Sequence, residues 1–274
     1  MSSPGPIGVF DSGIGGLSVW REIVRQLPTE DTIYLADQAH VPYGSRSLEE
    51  VQKFSEAITR FLLDQGARAI VLACNTASGA ALSSLRERFP NVPFVGMEPA
   101  VKPATADTHS GVIGVIATPG TFHADRFANL VERYGGDATV LSQTCPGLVE
   151  AVESGQLDTP ETEALLRACL APLIEAGIDQ LVLGCTHYPF LRPVIERLVG
   201  EDISVIDPAP AVARQTGRVI QPSAQTRIGQ HLFYTSGNPA AFAKMVEMLV
   251  KVNASSRFDC RAVQWLEGQL LAQG

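Results

Sequence analysis

The chain has 274 residues, 45% of them apolar and 18% charged, with a formal net charge of −8. That balance is ordinary for a globular protein and leaves no basic footprint for nucleic acid or an anionic membrane. No apolar run approaches the ~18 residues of a membrane span. Residues 1–6 lack the basic-then-apolar layout of a signal peptide, and five cysteines without framework spacing point to reduced thiols in a cytoplasmic protein.

Taken along the chain, apolar runs predict strands at 7–10, 33–36, 69–73, 94–96, 112–116, 139–141, 180–183, 204–206 and 231–234, with helical patterns between most of them. Such alternation implies parallel sheets covered by helices. Ser47-Leu48-Glu49-Glu50 has the pattern of a capping box, with an apolar stripe through Leu48, Val51, Phe54, Ile58, Phe61 and Leu62. Thr159-Pro160-Glu161 opens a second helix, with proline at its first position and a stripe through Leu165, Leu166, Cys169, Leu170, Leu173 and Ile174. Both helices run into a glycine, Gly66 or Gly177, suited to a left-handed cap. The stretch around Pro222 and the tail after Asn253 carry no functional signal.

The chain repeats itself. The segment from Gly66 to Ala73-Cys74-Asn75-Thr76 aligns without gaps onto that from Gly177 to Gly184-Cys185-Thr186-His187, at an offset of 111 residues. Ile7-Gly8-Val9 likewise matches Ile113-Gly114-Val115, and Val95-Gly96-Met97-Glu98-Pro99 matches Val205-Ile206-Asp207-Pro208. The expected architecture is therefore α/β: two similar lobes, each a parallel sheet flanked by helices, related by pseudo-two-fold symmetry. Residues 1–97 plus 210–274 would form the first lobe and residues 98–209 the second, with Glu98-Pro99 and Asp207-Pro208 as crossings.

Ligands of open α/β sheets bind beyond the carboxyl ends of the strands, and there each repeat delivers a thiol. A free cysteine is ordinarily an inert, buried, small hydrophobe; the shared topological position of Cys74 and Cys185 is what sets them apart. Two such thiols on opposite faces of one carbon could remove a proton on one side and return it on the other. A metal reading is poorer, since no C-x-x-C or H-x-x-x-H accompanies Cys185 and His187. Asp11-Ser12-Gly13-Ile14-Gly15-Gly16 follows the first strand and suits an anion near a helix start, yet it is neither a dinucleotide fingerprint nor a P-loop. Asp11 could equally be a helix cap. Cys145, Cys169 and Cys260, and His40, His109, His123 and His231, lack any comparable setting.

Asp11-Ser12-Gly13-Ile14-Gly15-Gly16, Pro42-Tyr43-Gly44, Ala73-Cys74-Asn75-Thr76-Ala77-Ser78 and Gly184-Cys185-Thr186-His187-Tyr188-Pro189 together resemble the signatures of the glutamate racemases, within the aspartate/glutamate racemase superfamily. The resemblance implies interconversion of L- and D-glutamate without cofactor or metal, supplying D-glutamate for peptidoglycan. It implies that Cys74 takes the α-proton from the D isomer and Cys185 from the L isomer. Asp11 would assist beside Cys74, and His187 with Glu153 beside Cys185, although Glu150 competes for the last match. It also implies substrate contacts from Asp11, Ser12, Pro42, Tyr43, Gly44, Asn75, Thr76, Thr118, Thr121, Thr186 and His187. No arginine lies inside these motifs, so carboxylates would meet backbone N–H groups and hydroxyls, with Arg46 as the one nearby cation. The other readings are an aspartate or hydantoin racemase, and a two-lobed binding protein without turnover. The expected partner is the small-molecule substrate alone, and a homodimer is left open. Some relatives carry a longer N-terminal extension and require a peptidoglycan precursor as activator. Only six residues precede Ile7, so substantial basal activity is expected.

Overall fold

Short apolar runs without polar alternation suit a sheet covered on both faces, and in this chain they build two. In the computed structural model, which describes residues 5–122, 125–220, 227–250 and 259–273, the chain opens with β1 (Ile7–Asp11), α1 (Leu17–Gln26), β2 (Thr32–Ala36), α2 (Leu48–Asp64), β3 (Ala69–Leu72), α3 (Asn75–Arg88) and β4 (Phe94–Gly96). It continues with α4 (Val101–Asp107), β5 (Val112–Ala117), α5 (Pro119–Phe122), α6 (Asp125–Tyr134), β6 (Thr139–Thr144), α7 (Leu148–Glu153), α8 (Pro160–Glu175), β7 (Gln180–Leu183), α9 (Arg192–Val199) and β8 (Ser204–Ile206). Then come α10 (Ala209–Val219), β9 (His231–Thr235), α11 (Pro239–Val250), β10 (Asp259–Leu266) and β11 (Gln269–Ala272).

The first sheet has the order β11-β10-β9-β2-β1-β3-β4 and the second β6-β5-β7-β8. Within them, β2-β1-β3-β4 and β6-β5-β7-β8 are the same parallel arrangement. Phe10 pairs with Leu72 in one, and Ile116 with Leu183 in the other. The ladder runs one step further in both, Ala73 N–H to Phe10 C=O and Gly184 N–H to Ile116 C=O. Each thiol therefore leaves its sheet at the same level, beside the end of the central strand. In the first lobe that neighbour is Asp11. In the second, the equivalent of Asp11 is Ala117. A duplicated frame thus offers its two thiols different chemistry.

The capping signals act as read, while Leu48, Leu165 and Ile174 at the margins of the two expected stripes are exposed. Ser47 and Glu50 cap α2 reciprocally, and Thr159 caps α8 with Pro160 in its first turn. Gly66 and Gly177 both take positive φ, +85° and +76°. One apolar cluster is continuous across both sheets, through Ile14 of the first lobe and Leu148, Val149 and Tyr188 of the second. Among the described residues no helix is long and apolar enough to cross a membrane.

Three expectations need correction. The run at 231–234, expected as the last strand, is followed by two more: β10 pairs parallel with β9 and β11 folds back antiparallel, extending the first sheet. β11 is the sheet edge with β10 beside it, and both are largely exposed, so they lack the apolar run that betrays a strand covered on both faces. β6 extends past 141 to Thr144, because an edge strand tolerates Ser142, Gln143 and Thr144 on its open side. Cys145 and Cys169, expected as reduced thiols, are joined as a disulfide with Cα atoms 5.4 Å apart. The approach to α7 folds over α8, a proximity that linear spacing does not reveal. Cys74, Cys185 and Cys260 are free. The Pro222 stretch (221–226) and His123 lie outside the described residues.

Candidate active site

The strand ends of the two lobes enclose one small cavity of about 10 Å³. Ser12, Pro42, Tyr43, Gly44, Cys74, Asn75, Thr76, Thr118, Thr121, Val149, Cys185, Thr186 and His187 line it. Every residue predicted from the motifs for substrate contact is here except Asp11, which lies behind the wall, fully buried. Val149 was not foreseen. It is an unremarked valine on α7, and only the packing of that helix brings it to the site. A larger cleft of about 490 Å³ between α2, α3 and α6 holds no thiol or histidine.

Cys74 is the residue before α3, and its sulfur accepts from the Ala77 N–H at 3.5 Å. Burial first, and the Asp11 carboxylate second, push its thiol well above the ordinary value. Asp11 itself is tied by Oδ2 to the Gly16 N–H at 2.6 Å, with the Thr186 hydroxyl at 3.4 Å. Through Oδ2 it caps the turn into α1, and its charge also acts on the neighbouring Cys74. Its Oδ1 is buried without a hydrogen-bond partner. Burial raises the Asp11 carboxyl, against the opposing pull of His187 and the Gly16 N–H.

The Cys185 side is built differently. Its sulfur lies 3.6 Å from His187 Nδ1, and His187 Nε2 lies 2.7 Å from Glu153 Oε1. Burial alone would discharge the ring. The bonds to Cys185 and Glu153 outweigh it and hold His187 well above the ordinary histidine value. Glu153 loses hydration, yet its bond to His187 leads a set of contacts that brings its carboxyl below the usual range. Glu153 is the acidic residue that reaches the histidine, and Glu150 is exposed on the same helix. Two loop glycines permit this contact between lobes. A Cβ on Gly13 would sit 1.9 Å from Glu153 Oε1, and one on Gly15 would sit 2.3 Å from His187 Nδ1.

Polar groups for a ligand complete the cavity. The Asn75 carboxamide is buried with neither its oxygen nor its nitrogen bonded to protein, a state that costs roughly 1–3 kcal/mol unless a ligand satisfies it. Thr76 and Thr118 hydroxyls are 3.0 Å apart, with the Thr121 hydroxyl 3.2 Å from that of Thr118, so three hydroxyls from two lobes meet at one rim. No arginine lines the cavity. Arg46 turns away to the His40 carbonyl and the Glu50 carboxylate. Among the described residues, no group of three or more His, Cys, Asp or Glu is disposed to hold a metal ion.

Two opposed α/β lobes with a thiol at each facing strand end define the class, and sequence comparison agrees. Residues 7–216 match the family described as Asp/Glu/Hydantoin racemase, and the chain belongs to that family. Relatives within it include glutamate racemases. That of Pseudomonas aeruginosa is 52% identical over 246 residues, 89% of this chain and 93% of the relative, and that of Roseiflexus sp. is 49% identical over 249 residues, covering 89% and 92%. Among solved structures, glutamate racemase isoform RacE1 of Bacillus anthracis superposes with a TM-score of 0.87 at 35% identity, covering 96% of this chain and 98% of that one. The Escherichia coli glutamate racemase, solved with L-glutamate and the activator UDP-MurNAc-ala, gives 0.82 at 29% identity, covering 99% and 100%.

Proposed function

We propose that the chain interconverts L- and D-glutamate by removing the α-proton to a cysteine on one face of the α-carbon and delivering a different proton from a second cysteine on the other face. The observation that carries this reading is the single cavity with a free, buried cysteine from each lobe and unlike partners behind the two. Named relatives at about half identity over most of the chain are glutamate racemases, and the Francisella tularensis neighbour was solved with D-glutamate.

The partners assign the resting protons. Cys74, buried against Asp11, is held as a thiol, the form that donates. In the L-to-D direction the reading requires Cys185, 3.6 Å from His187 Nδ1, to act as the base. That pairing is poised for L-glutamate: Cys185 removes the α-proton on one face, and Cys74 delivers its own on the other, giving D-glutamate. The enzyme then holds a Cys185 thiol and a Cys74 thiolate, the form that accepts D-glutamate. Return to the first form requires Cys185 to release the proton it took and Cys74 to regain one, and Asp11, with its raised carboxyl, is placed to relay the latter.

The α-proton of an amino acid is a very weak acid, so the carbanion must be stabilised by fixed dipoles in a dry site. A cavity with room for about one water excludes solvent in this way. It also excludes glutamate, so the Thr76–Thr118 rim must part to admit substrate. Asn75, the threonine hydroxyls and the backbone N–H groups opening α3 would take the carboxylates. By this reading the reaction needs no cofactor, runs in the cytoplasm and supplies D-glutamate for peptidoglycan. Chiral chromatography of L-glutamate incubated with the protein tests it, with L-aspartate and a hydantoin as comparison substrates. Turnover of glutamate alone is expected; turnover confined to aspartate or the hydantoin would reassign the substrate, and none at all would leave a binding protein.

A further inference from the structure

Glu153 belongs to the second lobe, but most of what holds it belongs to the first. Oε1 accepts from the Ile14 N–H at 2.7 Å as well as facing His187, and Oε2 accepts from the Gln38 side chain at 3.2 Å. Gln38 lies just past β2, and its orientation is chemically fixed. The Thr235 hydroxyl accepts from the Gly237 N–H at 2.9 Å and donates to Gln38 Oε1 at 2.8 Å. That leaves the Gln38 NH₂ as the end facing the carboxylate, the only end that can bond to it. An unbroken chain thus runs Thr235, Gln38, Glu153, His187, Cys185, crossing between lobes at the Gln38–Glu153 bond.

We propose that Gln38 is a positioning residue for the Cys185 base: from the first lobe it holds Glu153 so that Oε1 is presented to His187, and the His187–Cys185 pair is therefore set only when the lobes are docked. The residue touches neither cysteine and does not line the cavity. Its effect passes through one carboxylate. The coupling has a use: the base is assembled in the closed site, where the carbanion is protected, and is relaxed when the lobes part. The inference rests on the two-cysteine reading above only for its consequence in turnover; the effect on His187 stands without it.

The test uses Gln38→Met, similar in size but unable to donate, alone and in a Glu153→Ala background. His187 is faced by Cys185, Glu153 and Asp11, and the first two hold its proton on. Its ring titration in the free protein, followed by ¹⁵N-histidine NMR, should move to lower pH in Gln38→Met. Glutamate kcat should fall about 10-fold, the effect of one hydrogen bond to a charged group, with KM nearly unchanged and the alkaline limb of the pH profile displaced downward. In Glu153→Ala, adding Gln38→Met should change nothing further. An unshifted His187 titration, or an equal loss in both backgrounds, overturns the proposal. Inactivity of the wild-type protein toward glutamate would instead overturn the glutamate reading of the site, and the NMR titration would still decide the role of Gln38.

Discussion

At the scale of single residues, Asp11 against Ala117 separates the two thiols, since one is beside a carboxylate and the other is free to use a histidine. Replacing either Cys74 or Cys185 by alanine should lower kcat/KM by about 10²–10⁴-fold or more, the range for loss of a general acid or base. L- and D-glutamate have equal free energy, so kcat/KM falls equally in both directions in every variant; a mutant slow in one direction only would signal an artefact or a different reaction. Initial rates from both enantiomers check this. The pH profile carries a sign that can be worked out. His187 is held well above its ordinary value by Cys185 and Glu153, so its charge persists through neutral pH and is lost as pH rises through the raised value. Glu153→Gln removes one of the two supports, and the alkaline fall in kcat/KM should begin at lower pH. An unchanged alkaline limb would separate Glu153 from the titration. Much of this was legible: the residues in motifs announce themselves because strand-end thiols, amides and hydroxyls are rare in apolar surroundings. Glu153 and Glu150 were not separable, because they stand three apart on one short helix and only its docking chooses between them. Gln38 was invisible, since its role is made by a contact between lobes and by no local pattern.

At the scale of elements, the same helix-start chemistry serves stability in one place and function in another. The Ser47–Glu50 box on α2 is remote from both thiols. Ser47→Ala should cost about 1 kcal/mol in chemical denaturation and leave kcat/KM unchanged. The loop from Asp11 to α1 is the opposite case. Gly13→Ala would place a methyl on the Glu153 carboxylate, so it should keep a cooperative melt while losing activity. Full activity in that variant would mean that the loop and α7 are not in catalytic contact. Central strands and capped helices were readable because burial on both faces forces apolar runs and because caps use few residue types. The β10–β11 pair was not, since an edge hairpin with one exposed face needs neither. The Cys145–Cys169 pairing, too, depends on how α7 is brought over α8, which no element announces by itself.

At the scale of the molecule, two lobes close on a space of about one water, with hydroxyls from both at the rim. Under the proposed mechanism, closure would dry the site for carbanion chemistry and join Gln38 to Glu153 in the same movement. A cysteine alkylating agent should therefore modify half-buried Cys260 before Cys74 and Cys185, as peptide mass mapping over time would show, and glutamate should slow the last two further. Rapid modification of Cys74 or Cys185 ahead of Cys260 would contradict a closed ground state. The central claim is that the proton leaves to one cysteine and returns from the other. The most direct measurement is ¹H NMR of L-glutamate turned over in D₂O, read early in the reaction. The account predicts D-glutamate carrying deuterium at the α-carbon while the remaining L-glutamate keeps its protium. D-glutamate that retains the original α-proton, or L-glutamate that exchanges without racemising, would contradict it.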